Sequence, residues 1–235
     1  MKFNSALIQG RLIKRYKRFL ADVELEDGSQ ITAHCPNTGA MTHCAEPNST
    51  ALLRYDPNPK RKLAYTWEAA INKQGEWIGI NTHNANKLVE ECLLNSNLIL
   101  NIGDATLKRE YPLKSKTSRL DFALLDKEQN PIHFIEVKSV TLCEDSIGYF
   151  PDTVSTRATK HCNELAALAV QGYPCSLVFC VQHSGIKQVR PARHIDPNYA
   201  DALSQAISSG VNIIVVSTNF SNEKFHINQT LNFNM

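Results

Sequence analysis

Asp121, Glu136 and Lys138 are the residues of this sequence whose types and spacing most clearly allow chemistry. Side chains alternate between faces along a strand, so residues two apart share a face. In Ile135-Glu136-Val137-Lys138 that rule sends Glu136 and Lys138 to one side and turns Ile135 and Val137 into a core. Asp121 lies in Arg119-Leu120-Asp121-Phe122-Ala123-Leu124-Leu125, where Leu120, Phe122 and Leu124 alternate with it. Residues 126–131 (Asp-Lys-Glu-Gln-Asn-Pro) read as a hairpin loop. Closing that hairpin carries the Asp121 carboxylate toward the face that bears Glu136 and Lys138. Two carboxylates beside an ammonium group can hold Mg²⁺ or Mn²⁺ against a phosphate, because such hard ions take oxygen ligands and keep several waters. Asp121 and Glu136 are then the metal ligands, with the Val137 carbonyl as a further oxygen. Lys138 orients the attacking water or stabilises the charge that develops at phosphorus. The pattern is short, and a surface hairpin with solvated charges would carry the same residues. The elements around it have to decide.

Residues 1–81 read as β-structure. An extended stretch covers 7–25, a turn 26–29 and a strand 30–35. Pro36-Asn37-Thr38-Gly39 is a turn cluster, and strands follow over 49–55 and 62–72, around Pro57-Asn58-Pro59. A turn at 73–76 leads into Trp77-Ile78-Gly79-Ile80. About five short strands in this length predict a small barrel of the OB type. From residue 82 the period changes. Ala85, Leu88, Val89, Cys92 and Leu93 follow helical spacing, with Asn84 or Thr82 as N-cap. A strand over 106–111 precedes the two motif strands. A helix over 155–171 carries Ala158, Cys162, Leu165, Ala166 and Ala169 on one face, and a buried strand covers 176–181. A helix from Pro197 to 210 and a strand over 211–216 follow. Residues 219–235 signal no more than an edge element. Helix, three strands, helix, strand is the core order of the PD-(D/E)xK nuclease-like fold. The expected fold class is therefore mixed α/β and α+β: an OB-like barrel over 1–81 and a nuclease-like mixed sheet over 82–235.

Composition limits the function classes. The 235 residues are 43% hydrophobic and 20% charged, as in globular proteins. No apolar run approaches the ~20 residues of a membrane helix, and Met1-Lys2-Phe3-Asn4-Ser5 lacks the apolar run of a leader. Seven scattered cysteines, an odd number, argue against a disulfide framework and for a reducing cytoplasm. The pairs His34-Cys35 and His43-Cys44 lack the spacing of a zinc site. Net charge is only +2, so a nucleic-acid surface has to come from local clusters. Lys14-Arg15-Tyr16-Lys17-Arg18-Phe19 sets four cations around two aromatics, and Lys60-Arg61-Lys62 is a second knot. Cations attract the DNA phosphate backbone, and an aromatic ring can stack on a base. Arg157, Lys160 and His161 fall on the polar side of the helix after the motif strands, in reach of phosphate or simply solvated. Glu90 and Glu91 of the first helix could each complete a metal site, and periodicity does not choose between them. The oligomeric state is not legible; a homodimer is compatible with the sequence.

Longer stretches resemble one family. They are residues 15–23 (Arg-Tyr-Lys-Arg-Phe-Leu-Ala-Asp-Val), 34–41 (His-Cys-Pro-Asn-Thr-Gly-Ala-Met), Lys60-Arg61-Lys62 with Thr66-Trp67-Glu68, and Ser118-Arg119-Leu120-Asp121-Phe122. Residues 135–142 (Ile-Glu-Val-Lys-Ser-Val-Thr-Leu), Phe150-Pro151-Asp152 and 191–196 (Pro-Ala-Arg-His-Ile-Asp) complete the set. Together they resemble the SfsA family, the sugar fermentation stimulation proteins of bacteria. The resemblance implies an OB-like domain joined to a PD-(D/E)xK-like domain and DNA binding without sequence preference. It also implies a regulatory role in sugar, chiefly maltose, metabolism, and it favours Glu91 over Glu90 as the third metal ligand. The sequence departs from the bare nuclease pattern at Leu120, where proline is usual, and from the family at Ala158, where glycine is usual; alanine is the better helix former. Three functions fit: DNA binding with a Mg²⁺-capable site, active Mg²⁺-dependent phosphodiester hydrolysis, and a metal-dependent enzyme on a non-nucleic substrate.

Overall fold

The computed structural model describes residues 1–3, 5–113, 118–221 and 224–235. The barrel is built from β1 (Ile8–Tyr16), β2 (Leu20–Leu25), β3 (Gln30–His34), β4 (Thr50–Tyr55), β5 (Tyr65–Ile71) and β6 (Trp77–Gly79). The strands pair in the order β3-β2-β1-β4-β5-β6, and a further β3–β5 pairing closes the first five into a barrel. Closure removes open sheet edges. Leu12, Val23, Leu53, Trp67 and Ile78 fill the interior. The extended stretch expected over 7–25 is a hairpin: Tyr16 pairs with Leu20, and Lys17 and Arg18 turn the chain with left-handed φ of 49° and 64°. The bend puts the basic run at a hairpin tip, where charge is easily solvated.

The second domain contains α1 (His83–Asn95), β7 (Thr106–Pro112), β8 (Arg119–Leu125), β9 (Pro131–Val140), β10 (Leu142–Glu144) and β11 (Ile147–Phe150). It continues with α2 (Thr156–Val170), β12 (Cys175–Val181), β13 (Gln188–Pro191), α3 (Pro197–Ser208), β14 (Asn212–Ser221), β15 (Lys224–Thr230) and β16 (Asn232–Phe233). Six strands form one sheet in the order β15-β14-β12-β9-β8-β7. β9, β12 and β14 run parallel, whereas β7, β8 and β9 are antiparallel neighbours. Every residue of β12 is buried, since helices α2 and α3 cover one face of the sheet while α1 and the barrel wall cover the other. The helices start where capping chemistry places them: Ser155 Oγ accepts from Ala158 N–H, and Asp196 Oδ1 accepts from Tyr199 N–H just after Pro197.

Three features depart from expectation. A second sheet, β10-β11-β13-β16, is made of strands too short to leave a periodic signal. The first residues, assigned to the barrel, pack instead on the second domain: Met1, Phe3 and Leu7 join the α1-side core, and Phe3 meets Phe225 edge-on at 5.5 Å. Finally, Leu120 does not share a face with Phe122 and Leu124. It packs on the α2–α3 side, while they pack on the α1 side. The strand is twisted at Asp121, beside Glu110, whose left-handed φ of 49° breaks the alternation in β7.

Candidate cation site and its flanking surfaces

Strands β8 and β9 pair from Leu125–Pro131 up to Phe122–Ile135, and at the next position the ladder gives way to side chains. Val137 N–H donates to Asp121 Oδ2 at 2.8 Å, and Asp121 N–H donates to Glu136 Oε2 at 3.3 Å. The two carboxylates thus fill a split between strands and satisfy backbone donors that would otherwise be orphaned. Each then leans toward a different helix. Asp121 Oδ1 accepts from Asn86 Nδ2 of α1 at 2.7 Å. Glu136 Oε1 accepts from Lys138 Nζ at 2.5 Å and makes a short hydrogen bond with His161 Nδ1 of α2. Lys138 Nζ also lies 3.3 Å from His161 Nδ1.

Sequence close to the site positions these groups. The alternation of β9 sends Ile135 and Val137 into the α1-side core and Glu136 and Lys138 to the opposite face. The start of α1 is fastened to the barrel by Glu68, which is 1% exposed. Its Oε2 accepts from Asn81 Nδ2 (2.8 Å) and Asn84 Nδ2 (2.9 Å), and its Oε1 from Arg54 Nε (2.9 Å). That anchor lies two residues before Asn86 and fixes where its amide points.

Burial, and then the charge of Glu136, push the Asp121 carboxyl up to about 6. Burial alone would raise Glu136 too, but Lys138 foremost, and then His161, hold it below the usual carboxylate range. The site therefore sets one acid that resists ionisation beside one that is firmly ionised, a difference typical of functional carboxylate pairs. Among the described residues no group of three or more His, Cys, Asp or Glu side chains encloses an ion. A pair of carboxylates suits a cation such as Mg²⁺, which leaves much of its sphere to water or phosphate. The Asp121 carboxyl, held above the usual carboxylate range by burial and then by the charge of Glu136, marks a spot where added positive charge is favourable.

Comparison with known proteins fits this architecture. Residues 13–80 match the model of the SfsA N-terminal OB domain, and residues 83–224 match that of the sugar fermentation stimulation protein RE domain. The chain belongs to the SfsA family. It is 53% identical over 235 residues to a sugar fermentation stimulation protein homolog of Alteromonas mediterranea, covering 98% of both chains. It is 48% identical over 231 residues to the homolog of Pseudoalteromonas atlantica, again with 98% of both covered. The structure of Pyrococcus furiosus SfsA in complex with Ca²⁺ superposes with a TM-score of 0.87 at 23% identity, covering 100% of this chain and 98% of that one. That likeness concerns the fold.

Within this SfsA chain the remaining candidates separate. Glu91, expected as a third ligand, is turned away and pairs with the Met1 ammonium and with Lys224 at 3.9 Å. The helical turn that faces Asp121 carries Asn86 and, one turn on, Glu90, which is bonded to Arg109 Nε. His161, expected on the polar side of α2 in reach of phosphate or solvated, is 4% exposed and bonds Glu136. Arg157, Lys160 and His161 line a cavity of about 590 Å³ on the α2 side, with Arg119 opposite; Lys160 also lies 3.7 Å from Glu164.

On the barrel, Arg15 is structural: its Nη2 donates to the carbonyls of Asn37 (2.9 Å) and Gly39 (3.0 Å). Tyr16 donates to Asp22 Oδ1, while Lys14 lies near the same Asp22 and over the Tyr16 ring. Arg61 bonds Asp56 and Thr66. Lys17, Arg18, Lys60 and Lys62 are exposed. Lys17 and half-exposed Phe19 from the first cluster meet Arg61 and Lys62 from the second around a groove of about 530 Å³ that also takes in His34.

Proposed function

We propose that this protein binds DNA through its phosphate backbone and holds a divalent cation at Asp121 and Glu136, in a site equipped to hydrolyse a phosphodiester. The split between β8 and β9, where both carboxylates and Lys138 converge, carries this reading. The Pyrococcus furiosus relative was solved with Ca²⁺, an ion with the same preference for oxygen ligands. A bound cation would supply positive charge against the negative charge that develops on the phosphate oxygens. The chain's own groups do the rest. Asp121 and Glu136 hold the site, with Asn86 orienting the first and His161 the second. Lys138 aligns the water whose oxygen forms the new bond to phosphorus. The ester P–O bond breaks, the departing oxygen takes a proton, and the water's proton leaves to solvent. Arg119, Arg157 and Lys160 line the α2-side cavity that His161 shares with the site, and offer cations suited to a neighbouring phosphate.

Purified protein with Mg²⁺ should shorten or nick DNA, and Asp121→Ala should reduce that rate by about three orders of magnitude while leaving binding within about twofold. Equal cleavage by the variant contradicts the reading. A binding-only reading draws on Glu136, whose Oε1 is already engaged by both Lys138 and His161. Salt-sensitive binding with no cleavage under Mg²⁺ or Mn²⁺ selects it. Either reading suits a cytoplasmic protein and is compatible with the regulatory part in sugar fermentation that the family name conveys.

The barrel groove is the backbone-tracking surface of this proposal. Replacing Lys17 and Lys62 together by alanine should lower the slope of log affinity against log salt by about two. Phe19→Ala should weaken single-strand binding by ~1–3 kcal/mol, read by fluorescence anisotropy. Unchanged affinity in both removes the groove from the binding surface.

A further inference from the structure

A cavity of about 290 Å³ lies between the barrel and the second domain, next to the carboxylate pair. Thr38 and Gly39 of the barrel form one wall, Asn86 of α1 and Lys138 and Ser139 of β9 another, and Tyr149 of β11 closes the far side. Two of these residues, Asn86 and Lys138, bond directly to Asp121 and Glu136. The barrel wall is held in place from both sides. Arg15 clamps the carbonyls of Asn37 and Gly39, and Met41 N–H donates to Asp152 Oδ2 of the second domain at 3.3 Å. A Cβ at Gly39 would sit 2.5 Å from Asp152 Oδ2, so a larger residue there would have to push the Asp152 carboxylate aside. The cavity is therefore preformed. Its volume stands at the small end of ligand pockets, which run from about 300 to 1,000 Å³, and a duplex cannot enter it.

The walls, which also include Phe150 and the Asp152 carboxylate, carry groups that a nucleoside can use. A phenol ring offers a stacking face, hydroxyl and amide groups offer hydrogen bonds to a base edge or a sugar, and the ammonium of Lys138 stands at the end nearest the carboxylates. Along the chain the cavity follows the barrel groove: His34 lines the groove, and Asn37, three residues later, lines the cavity. Between them, the Pro36 carbonyl accepts from Thr82 Oγ1 at 3.5 Å, so this stretch touches the residue just before α1. Thr82, the neighbour of His83, is part of the cavity lining.

We infer that this interdomain cavity takes one terminal nucleotide of a single-stranded nucleic acid, its phosphate directed to Lys138 and the Asp121–Glu136 pair. The inference deepens the proposed function and rests on it for the reaction, though not for the binding site. The barrel groove holds the body of the strand, and the cavity receives its end. Substrates without a free single-stranded end are then excluded by shape.

The test uses the full-length protein and Thr38→Trp, which sets an indole at the mouth of the cavity from an exposed position; Thr38→Ser is the control and thermal melting checks the fold. Thymidine 5′-monophosphate is the binding probe in Mg²⁺. Linear single strands, a circular single strand of the same sequence and a blunt duplex are the cleavage substrates. Thr38→Trp should weaken mononucleotide binding at least about tenfold and Thr38→Ser by less than about twofold, and the linear strand should be shortened from an end while circle and duplex resist. No mononucleotide binding to the native protein, binding by Thr38→Trp as tight as native, or a circle cut as fast as the linear strand overturns the inference. Binding that Thr38→Trp abolishes, with no cleavage of any substrate, supports the nucleotide site and removes only the hydrolytic reading.

Discussion

Replacing Asp121 with asparagine is expected to make the protein more stable at pH 8. The carboxyl of Asp121 is raised from 3.8 to about 6, by burial first and by Glu136 second. A raised acid binds its proton more tightly in the folded state than in the unfolded one. Its contribution to stability is fully present below about pH 4 and is lost as the pH rises through about 6. At pH 8 the ionised group is a net cost, at most ~3 kcal/mol for a change of this size, and ~1–2 kcal/mol once water at its open edge is allowed for. Asparagine keeps an oxygen for Val137 N–H, and Asn86 can turn its amide to meet the new NH₂ group. Asp121→Asn should therefore melt ~2–8 °C higher than the native protein at pH 8, and the two should converge near pH 4.5. A lower melting temperature for the variant at pH 8 would show that Asp121 is an ordinary structural carboxylate. Gaining stability by losing a functional charge is the usual trade at an active site.

Lys138→Met is expected to act in the other direction. Glu136 is 2% exposed and stays ionised because Lys138 and His161 outweigh its burial. Removing one partner of a buried ion pair leaves an uncompensated charge and costs ~3–5 kcal/mol. His161 remains to share the load, so ~3 kcal/mol is the expected loss at pH 7, a fall of ~6–12 °C in melting temperature. Glu136 is an acid held low, so its favourable contribution is present above about pH 4.5 and fades as the pH falls. The gap between native and Lys138→Met should narrow on acidification. The double variant Lys138→Met/Glu136→Gln should recover most of the loss, because the stranded charge is gone. A double variant as unstable as the single one would mean that Lys138 contributes packing rather than charge.

What the sequence made legible follows the range of each physical signal. Strand alternation joined Glu136 to Lys138, and the turn residues of 126–131 brought Asp121 to them. Both signals are local. Asn86 and His161, which orient the two carboxylates, come from helices whose docking depends on the whole sheet, so no spacing in the sequence tied them to the site. His161 looked like a surface residue because its neighbours Arg157 and Lys160 are polar, yet the α2 face that meets β9 is wide enough to bury it. Glu91 is drawn away from Asp121 for a similar reason: Lys224 and the Met1 ammonium, both far away in sequence, pair with it. The Leu120 face was misjudged because Leu120 and Phe122 pack on opposite sides of the sheet across Asp121, which breaks the alternation that the sequence implies. In the barrel, the basic run was legible as charge. Its division into exposed Lys17 and Arg18 and structural Arg15 depended on a hairpin tip and a loop that meet only in the fold.

Calorimetric titration of Mn²⁺ into the native protein and into Asp121→Asn at pH 7.5 tests the carboxylate pair most directly. One ion per chain should bind to the native protein and be lost, or weakened at least about a hundredfold, in the variant. Binding of equal strength to both, or to neither, would contradict the assignment of this split between β8 and β9 as a cation site.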